Sequence, residues 1–269
     1  MRRFINRKPT RQTGLLLAAL PFLLLIGIYL VASHARLAEN PKDKLLPAPS
    51  SFVSAMQEMA LEEDKRSGKF LFWSDTGASL QRLGLGIAVA TLLGLSVGLS
   101  IGLFPYFSSA LDPFVAVLSM IPPLAVLPIL FITFGLGELS KVVLIIVGIA
   151  PFLIRDVAFR VRELPEELLV KAQTLGASSW QILLRVAGPM VLPRLIGALR
   201  LSLGPAWLFL IAAEAIAATE GLGYRIFLVR RFLAMDVILP YVAWITLLAF
   251  LMDWALARLS RRAFPWAEP

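Results

Sequence analysis

The sequence predicts an all-α, polytopic membrane protein with about six transmembrane helices and a polar helical elbow between the fourth and fifth. Three observations predict it. Apolar residues make up 58% of the 269 residues and the mean hydropathy is +0.78, whereas a soluble domain is nearer ~45–50% apolar. Six largely apolar runs reach the ~20 residues a helix needs to cross the hydrocarbon core. The basic residues behind the net charge of +8 flank these runs, as topology signals do.

The first span covers 14–33, after a basic segment 1–13. A second reading stays open there. Arg2-Arg3, an apolar run and Ala32-Ser33-His34-Ala35 also fit a twin-arginine or secretory signal. The run is longer than a usual signal core, and an odd number of remaining spans would put the tail outside. Segment 34–79 is mixed in charge, with Lys42, Asp43, Lys44, Glu62, Glu63, Asp64 and Lys65. It holds an extended lead from Leu45 to Pro49. Ser50 or Ser51 then caps a helix with Phe52, Val53, Met56, Met59 and Ala60 on one face, expected to lie along the membrane interface.

The second span, 80–104, carries Gly86, Ala90, Gly94, Gly98 and Gly102 at intervals of four. That spacing makes one small-residue face for close helix packing. The third span, 110–134, contains Ser119, Met120, Pro122 and Pro123. Adjacent prolines remove two backbone hydrogen bonds mid-span. The result is either a packing kink or a broken helix lining a pathway, which makes these four residues pathway candidates. The fourth span is 140–159.

Residues 165–193 read PEELLVKAQTLGASSWQILLRVAGPMVLP. A helix opens at Pro165 and stops at Gly176. A second short helix starts over Ala177-Ser178-Ser179-Trp180 and is expected to end near Gly188-Pro189. The fifth span, 192–218, holds Glu214. An ionisable residue there faces the protein interior. It pairs with Arg200 or another base, or it lines the pathway. Gly221 and Gly223 then end the helix and turn the chain outside. The sixth span is 238–258.

Orientation follows from the flanks. Arg2, Arg3, Arg7, Lys8 and Arg11 precede the first span. Arg155, Arg160, Arg162, Lys171, Arg185 and Arg194 surround the elbow, and Arg258, Arg261 and Arg262 close the last span. Six spans put all three groups on one side, which the positive-inside rule makes the cytoplasm. Both termini, including the tail 261–269, are then expected to be cytoplasmic and 34–79 periplasmic.

Several chemistries find no residues to support them. There is no cysteine and His34 is the sole histidine, so neither a metal site nor a catalytic residue is expected. No basic groove with interleaved aromatics suggests nucleic acid. No GxxxxGK[ST] loop occurs, so ATP and Mg are expected on a partner subunit, with no cofactor in this chain.

The elbow resembles the cytoplasmic coupling loop of bacterial ABC importer permeases, whose pattern is Glu-Ala-Ala, three residues, Gly, nine residues, Ile-x-Leu-Pro. Anchored on Gly176, the pattern falls on Val170-Lys171-Ala172 and Val186-Ala187-Gly188-Pro189. Ala172, Gly176 and Pro189 match, while Val170, Lys171 and Gly188 depart. Further motifs join over about 190 residues: Ser79 and Arg82, Pro122-Pro123, Phe134-Gly135-Leu136-Gly137-Glu138, Leu175-Gly176-Ala177-Ser178, Ala198-Leu199-Arg200, Ala213-Glu214 and Glu220-Gly221-Leu222-Gly223-Tyr224. In this order they resemble the nitrate, sulfonate, taurine and bicarbonate branch of these permeases. The stretch from Gly204 to Trp266 is similar to members associated with urea carboxylase and guanidine degradation.

The resemblance implies a permease core over 80–260 with a coupling loop at about 163–189, in a bacterial inner membrane. It implies a cytosolic ABC ATPase dimer, a second permease copy as a homodimer, a periplasmic substrate-binding protein and surrounding membrane lipid as partners. Ala172, Gly176, Ala177, Ser178, Trp180, Ile182, Leu183 and Pro189 would couple to the ATPase. Trp180, Ile182 and Leu183 would be the contacts, with Trp180 the anchor or else a headgroup-level residue. Two other classes compete. An ion-gradient-driven secondary transporter would show internal repeats, and none relates the first three spans to the last three. A membrane scaffold has little use for Glu214 or a broken third span.

Overall fold

The computed structural model describes residues 9–267 except 42 and 66. Arg2, Arg3, Arg7, Lys8, Lys42 and the last two residues of the tail lie outside the described residues. Helix α1 (Arg11–Glu39) opens on Thr10, whose hydroxyl caps the Thr13 N–H at 3.3 Å. It stands off the bundle with Phe22 and Val31 exposed. Its far end is tied down. Tyr29 donates to the Pro47 carbonyl at 2.7 Å, Ser33 donates to Leu46 and Pro47, and Arg36 pairs with Asp43. The Arg36 hydrogen bond, with the Leu45 N–H, holds the Asp43 carboxyl below its usual range.

Helix α2 (Pro49–Leu61) starts on proline, where the missing N–H costs nothing. The expected helix exists, but it does not lie on the membrane alone. Met56, Met59 and Ala60 pack against the hydrophobic core, with α2 seated on two later helices, α3 (Leu71–Leu103) and α11 (Met235–Ala263). Three apolar side chains at helical spacing bury more area against protein than against headgroups.

α3 begins nine residues before the expected second span, inside the segment assigned outside. Its small-residue face packs on α6 (Glu138–Arg162). Gly86 meets Ile145, Gly94 meets Leu153, Gly98 meets Val157 and Gly102 meets Val161. Each pair keeps the same separation in sequence, so α3 and α6 run parallel. The chain between them must therefore return across the bundle.

That return is made by α4 (Pro105–Leu118) and α5 (Pro123–Phe134), bent by 95° at their junction. The expected continuous third span over 110–134 is thus two helices, and Pro122-Pro123 is not a mid-helix kink. Pro122 caps α5 and Pro123 opens it. Proline tolerates the first helical position and resists the interior, so two in a row end one helix and start another. Among the described residues five helices are long and apolar enough to cross a membrane, and this bent pair makes a sixth if it is one span.

The remaining crossings are α9 (Gly188–Ala217) and α11. Between them lies α10 (Leu222–Val229), a short helix that the hydropathy pattern did not suggest. The core is built where α3, α6 and α9 meet, around Leu83, Leu144, Ile149, Leu153 and Leu210, and Leu222 and Tyr241 close it at the α10 end. Burial of this kind stabilises at roughly 25 cal/mol per Å² of apolar surface removed from water. In a bilayer the reference is lipid, and close packing carries more of the stability.

Candidate functional site

The elbow forms as the residues require. Helix α7 (Glu166–Thr174) carries two acids in its first turn and Lys171 in its last, complementing the helix dipole. Gly176 then turns the chain at φ +80°, a conformation that costs other residues ~1–2 kcal/mol. Ser178 and Gln181 make a reciprocal capping box, with Gln181 N–H on the Ser178 hydroxyl at 3.3 Å and Ser178 N–H on the Gln181 amide at 2.8 Å. Helix α8 (Ser179–Ile182) follows.

The second elbow helix does not end near Gly188-Pro189. It passes through a π-helical turn (Leu183–Ala187) straight into α9. The physical reason is Pro189, which has no N–H to give. The widened turn, in which the Gly188 N–H reaches the Leu183 carbonyl, absorbs that missing bond without breaking the helix. Ile182 and Leu183, expected to face a partner, point into the chain's own core at 5% and 6% exposure, while Trp180 is 65% exposed. Gly176 and Ser178 are exposed, and Ala172, Ala177 and Pro189 are half-buried. Val170, Leu175 and Leu184 add apolar surface beside Trp180.

At the opposite end of α9 lies a buried polar lock. Glu214 is fully buried, and its partner is Arg82 of α3 at 2.8 Å. Arg200 instead pairs with Asp253 of α11 through two hydrogen bonds. Glu214 also accepts from Ser79 at 2.8 Å and from the Gly223 N–H at 2.8 Å. Arg82 goes on to Glu138 of α6 and to the Glu220 carbonyl, and Lys141 donates to Glu138 at 2.8 Å. Beside this group, Asp75 pairs with Arg225 of α10 at 2.7 Å and accepts from Tyr241.

Three consecutive N–H groups are captured here. Gly221 donates to Asp75, Leu222 to Ser79 and Gly223 to Glu214. Glycine is required at 221, where φ is +131° and a Cβ would fall 2.6 Å from the Glu214 carboxyl. The acids and bases of the lock balance, which is how charges persist in a low-dielectric interior. Glu214 therefore belongs to a structural clamp between α3, α6, α9 and the 218–225 turn.

The other pathway candidates lie elsewhere. Ser119 ends α4 and lines a cavity of about 510 Å³ at the α4–α5 break, together with Pro123 and Arg155. Met120 and Pro122 are exposed next to it. Glu214 does not line this cavity, so the structure does not bring the candidates together. Asp75, Arg225, Glu138 and Lys141 were missed as members of the lock. One signal could have found part of it: Asp75, Ser79 and Arg82 recur at i, i+4 and i+7, a polar stripe on one face of an apolar helix.

Comparison with known proteins agrees with this architecture. The family described as binding-protein-dependent transport system inner membrane component matches residues 90–265. The chain is 41% identical over 194 residues to the taurine transport system permease protein TauC of Escherichia coli K12, covering 72% of this chain and 70% of that one. It is 35% identical over 196 residues to the bicarbonate transport system permease protein CmpB of Synechococcus elongatus, covering 72% and 69%. An inward-facing structure of the MetNI methionine ABC transporter shares the fold at TM-score 0.64 and 22% identity, over 74% of this chain and 99% of that one. The matched stretch takes in α4 to α11 with the elbow and the Glu214 end of the lock, and the chain belongs to the inner-membrane permease family of binding-protein-dependent transport systems.

Proposed function

We propose that two copies of this chain form the solute pathway of an ATP-driven importer about a two-fold axis, with two cytosolic ATPase subunits seated on the elbows. ATP and Mg are bound by those subunits. A periplasmic binding protein delivers solute at the end that carries 34–79, and both termini and the elbow are cytoplasmic. The core extends over 80–260 with the coupling loop at 163–189. The solute is small and polar, in the range of taurine, sulfonate, bicarbonate, nitrate or a urea- or guanidine-like compound.

One observation carries the coupling assignment. Residues 179–217 form one helical column of 39 residues, about 60 Å at 1.5 Å per residue. It runs from exposed Trp180 through the core to Glu214. A partner that grips the elbow thereby grips a helix of the pathway, and Ala172, Gly176, Ala177, Ser178 and Trp180 are the residues it would meet. Ile182, Leu183 and Pro189 act from beneath by fixing the elbow to the bundle.

The test is co-purification with a cognate ABC ATPase, in detergent and in lipid, for the wild type and for Trp180→Ala. Loss of the ATPase from the variant in detergent, where no headgroup layer exists, supports docking at Trp180. Full retention in both media removes Trp180 from the interface. Uptake that follows an ion gradient and ignores ATP would replace the importer with a secondary transporter.

A further inference from the structure

The cavity at the α4–α5 break holds a cation that the rest of the fold does not neutralise. Arg155 of α6 points one guanidinium N–H at the Ser119 hydroxyl, 2.7 Å away. The Ser119 O–H is already committed, donating to the Ala116 carbonyl at 2.8 Å. Among the described residues no carboxylate lies within 4.0 Å of Arg155. Arg82, Arg160, Arg162, Arg200 and Arg225 each have one, whereas Arg155 is exposed and unpaired as Arg185 and Arg194 are. Arg155 differs from those two in lining this cavity, facing a space of about 510 Å³.

The chemistry of the lining narrows what would fit. A guanidinium has five donors in a planar fork, and most of those on Arg155 remain uncommitted. A sulfonate, carboxylate or bicarbonate group satisfies such a fork with two parallel hydrogen bonds. Phe152, Phe159 and Phe209 supply apolar walls, which suit a short hydrocarbon body. Asp156, paired loosely with Arg160 at 3.7 Å, borders the same cavity. Its carboxylate disfavours a dianion and offers a partner to an ammonium group. The volume is in the range of small-molecule sites, roughly 300–1,000 Å³.

Resting on the importer reading above, we propose that Arg155 and Ser119 form a binding site within the pathway for the acidic head of a small organic monoanion or zwitterion. Ser119 holds the guanidinium in place, and Arg155 takes the head group. The shared chemistry, an oxyanion, could also come from an anionic lipid headgroup, so both sources are separate arms of the test.

Binding is measured by saturation-transfer NMR on the purified full-length permease with ethanesulfonate, taurine and guanidinium as probes. Co-elution with the ATPase is scored separately. Ethanesulfonate and taurine are expected to bind and guanidinium is not. Arg155→Gln should weaken binding by about tenfold or more, the loss expected for a charge-assisted hydrogen bond. Arg155→Lys should fall in between, and both variants should keep the wild-type elution profile.

Ethanesulfonate bound equally by Arg155→Gln, or guanidinium bound in preference, overturns the site. So does an Arg155-dependent signal from phosphatidylglycerol in nanodiscs with none from ethanesulfonate. Arg155-dependent binding without ATPase co-elution keeps the site and removes the importer reading. Co-elution with binding indifferent to Arg155 does the reverse.

Discussion

Gly98 offers a quantitative test of how α3 and α6 are held together. A Cβ at this position would lie 2.7 Å from the Val157 Cβ and 2.8 Å from the Ile154 carbonyl oxygen. Two terms oppose each other in Gly98→Ala. Alanine is the better helix former by ~1 kcal/mol. Overpacking costs ~1–3 kcal/mol. The second term wins because the Ile154 oxygen is backbone and cannot rotate aside. α6 would have to move as a unit, loosening the contacts of Gly94 with Leu153 and Gly102 with Val161. A net loss of up to about 2 kcal/mol follows, or up to about 8 °C in midpoint at ~2–4 °C per kcal/mol for a chain of this size. The control is Gly84→Ala on the open face of the same helix, where nothing lies within 4 Å. It should be neutral or gain up to ~1 kcal/mol. Thermal unfolding of both variants in one detergent, at one scan rate, checks this. A Gly98→Ala midpoint at or above that of Gly84→Ala would refute the close-packing argument.

Three further outcomes are expected. Glu214→Gln should insert normally yet lose about 3 kcal/mol, the low end for breaking a buried pair, because Arg82 keeps Glu138; unchanged uptake and unchanged unfolding temperature together would disprove the clamp. Gly176→Val should impair coupling of ATP hydrolysis to transport. The space there is open, so the cost is the positive φ, ~1–3 kcal/mol for a β-branched residue, and normal transport with normal ATPase stimulation would misplace the coupling turn. The chain has no native cysteine, so single cysteines at Ser178 and Ser50 can be labelled cleanly. They should react from opposite sides of an intact membrane, and same-side labelling would end the six-crossing topology.

The parts of this fold that were legible in the sequence are those governed by local periodicity. The spacing of Gly86, Ala90, Gly94, Gly98 and Gly102 marks a packing face because helix geometry alone puts them in line, and that face meets α6. Gly176 marks a turn because few other residues adopt positive φ. What stayed hidden depends on partners distant in sequence. Glu214 announces that it needs a base, but nothing near it says that the base is Arg82, 132 residues away. Arg200 was the nearer guess and proved to be taken by Asp253. The π turn before Gly188 was equally hidden. A glycine and a proline together suggest a stop, and the widened turn, with Leu183 and Ala187 packed into the core, keeps the helix going. Ser119 was singled out for its prolines, while the residue that gives it chemistry, Arg155, was read only as a topology charge.

The two ends of the α8–α9 column differ in how they resist motion, and this bears on how a push at the elbow would be used. At the Glu214 end, two backbone N–H groups and two ion pairs tie α9 and the 218–225 turn to α3, and the Gly223 N–H ties the turn to α9. Breaking them means exposing paired charges in a poorly solvating interior, which costs several kcal/mol. At the elbow end, Trp180, Leu175 and Leu184 are exposed, and apolar contacts of Ile182 and Leu183 hold the helix to the core. Between the ends, α9 packs tightly on α6 at Phe209, whose ring leaves only 2.3 Å for a Cβ on Gly148. On the coupling reading proposed above, a force on Trp180 would act on a column held at its Glu214 end by the lock and at its elbow end by the apolar contacts of Ile182 and Leu183. A swing of α9 against α6 about the lock would press on Phe209, a wall of the Arg155 cavity. Under the two proposals above, coupling and solute contact would share Phe209, and neither would require the lock to open.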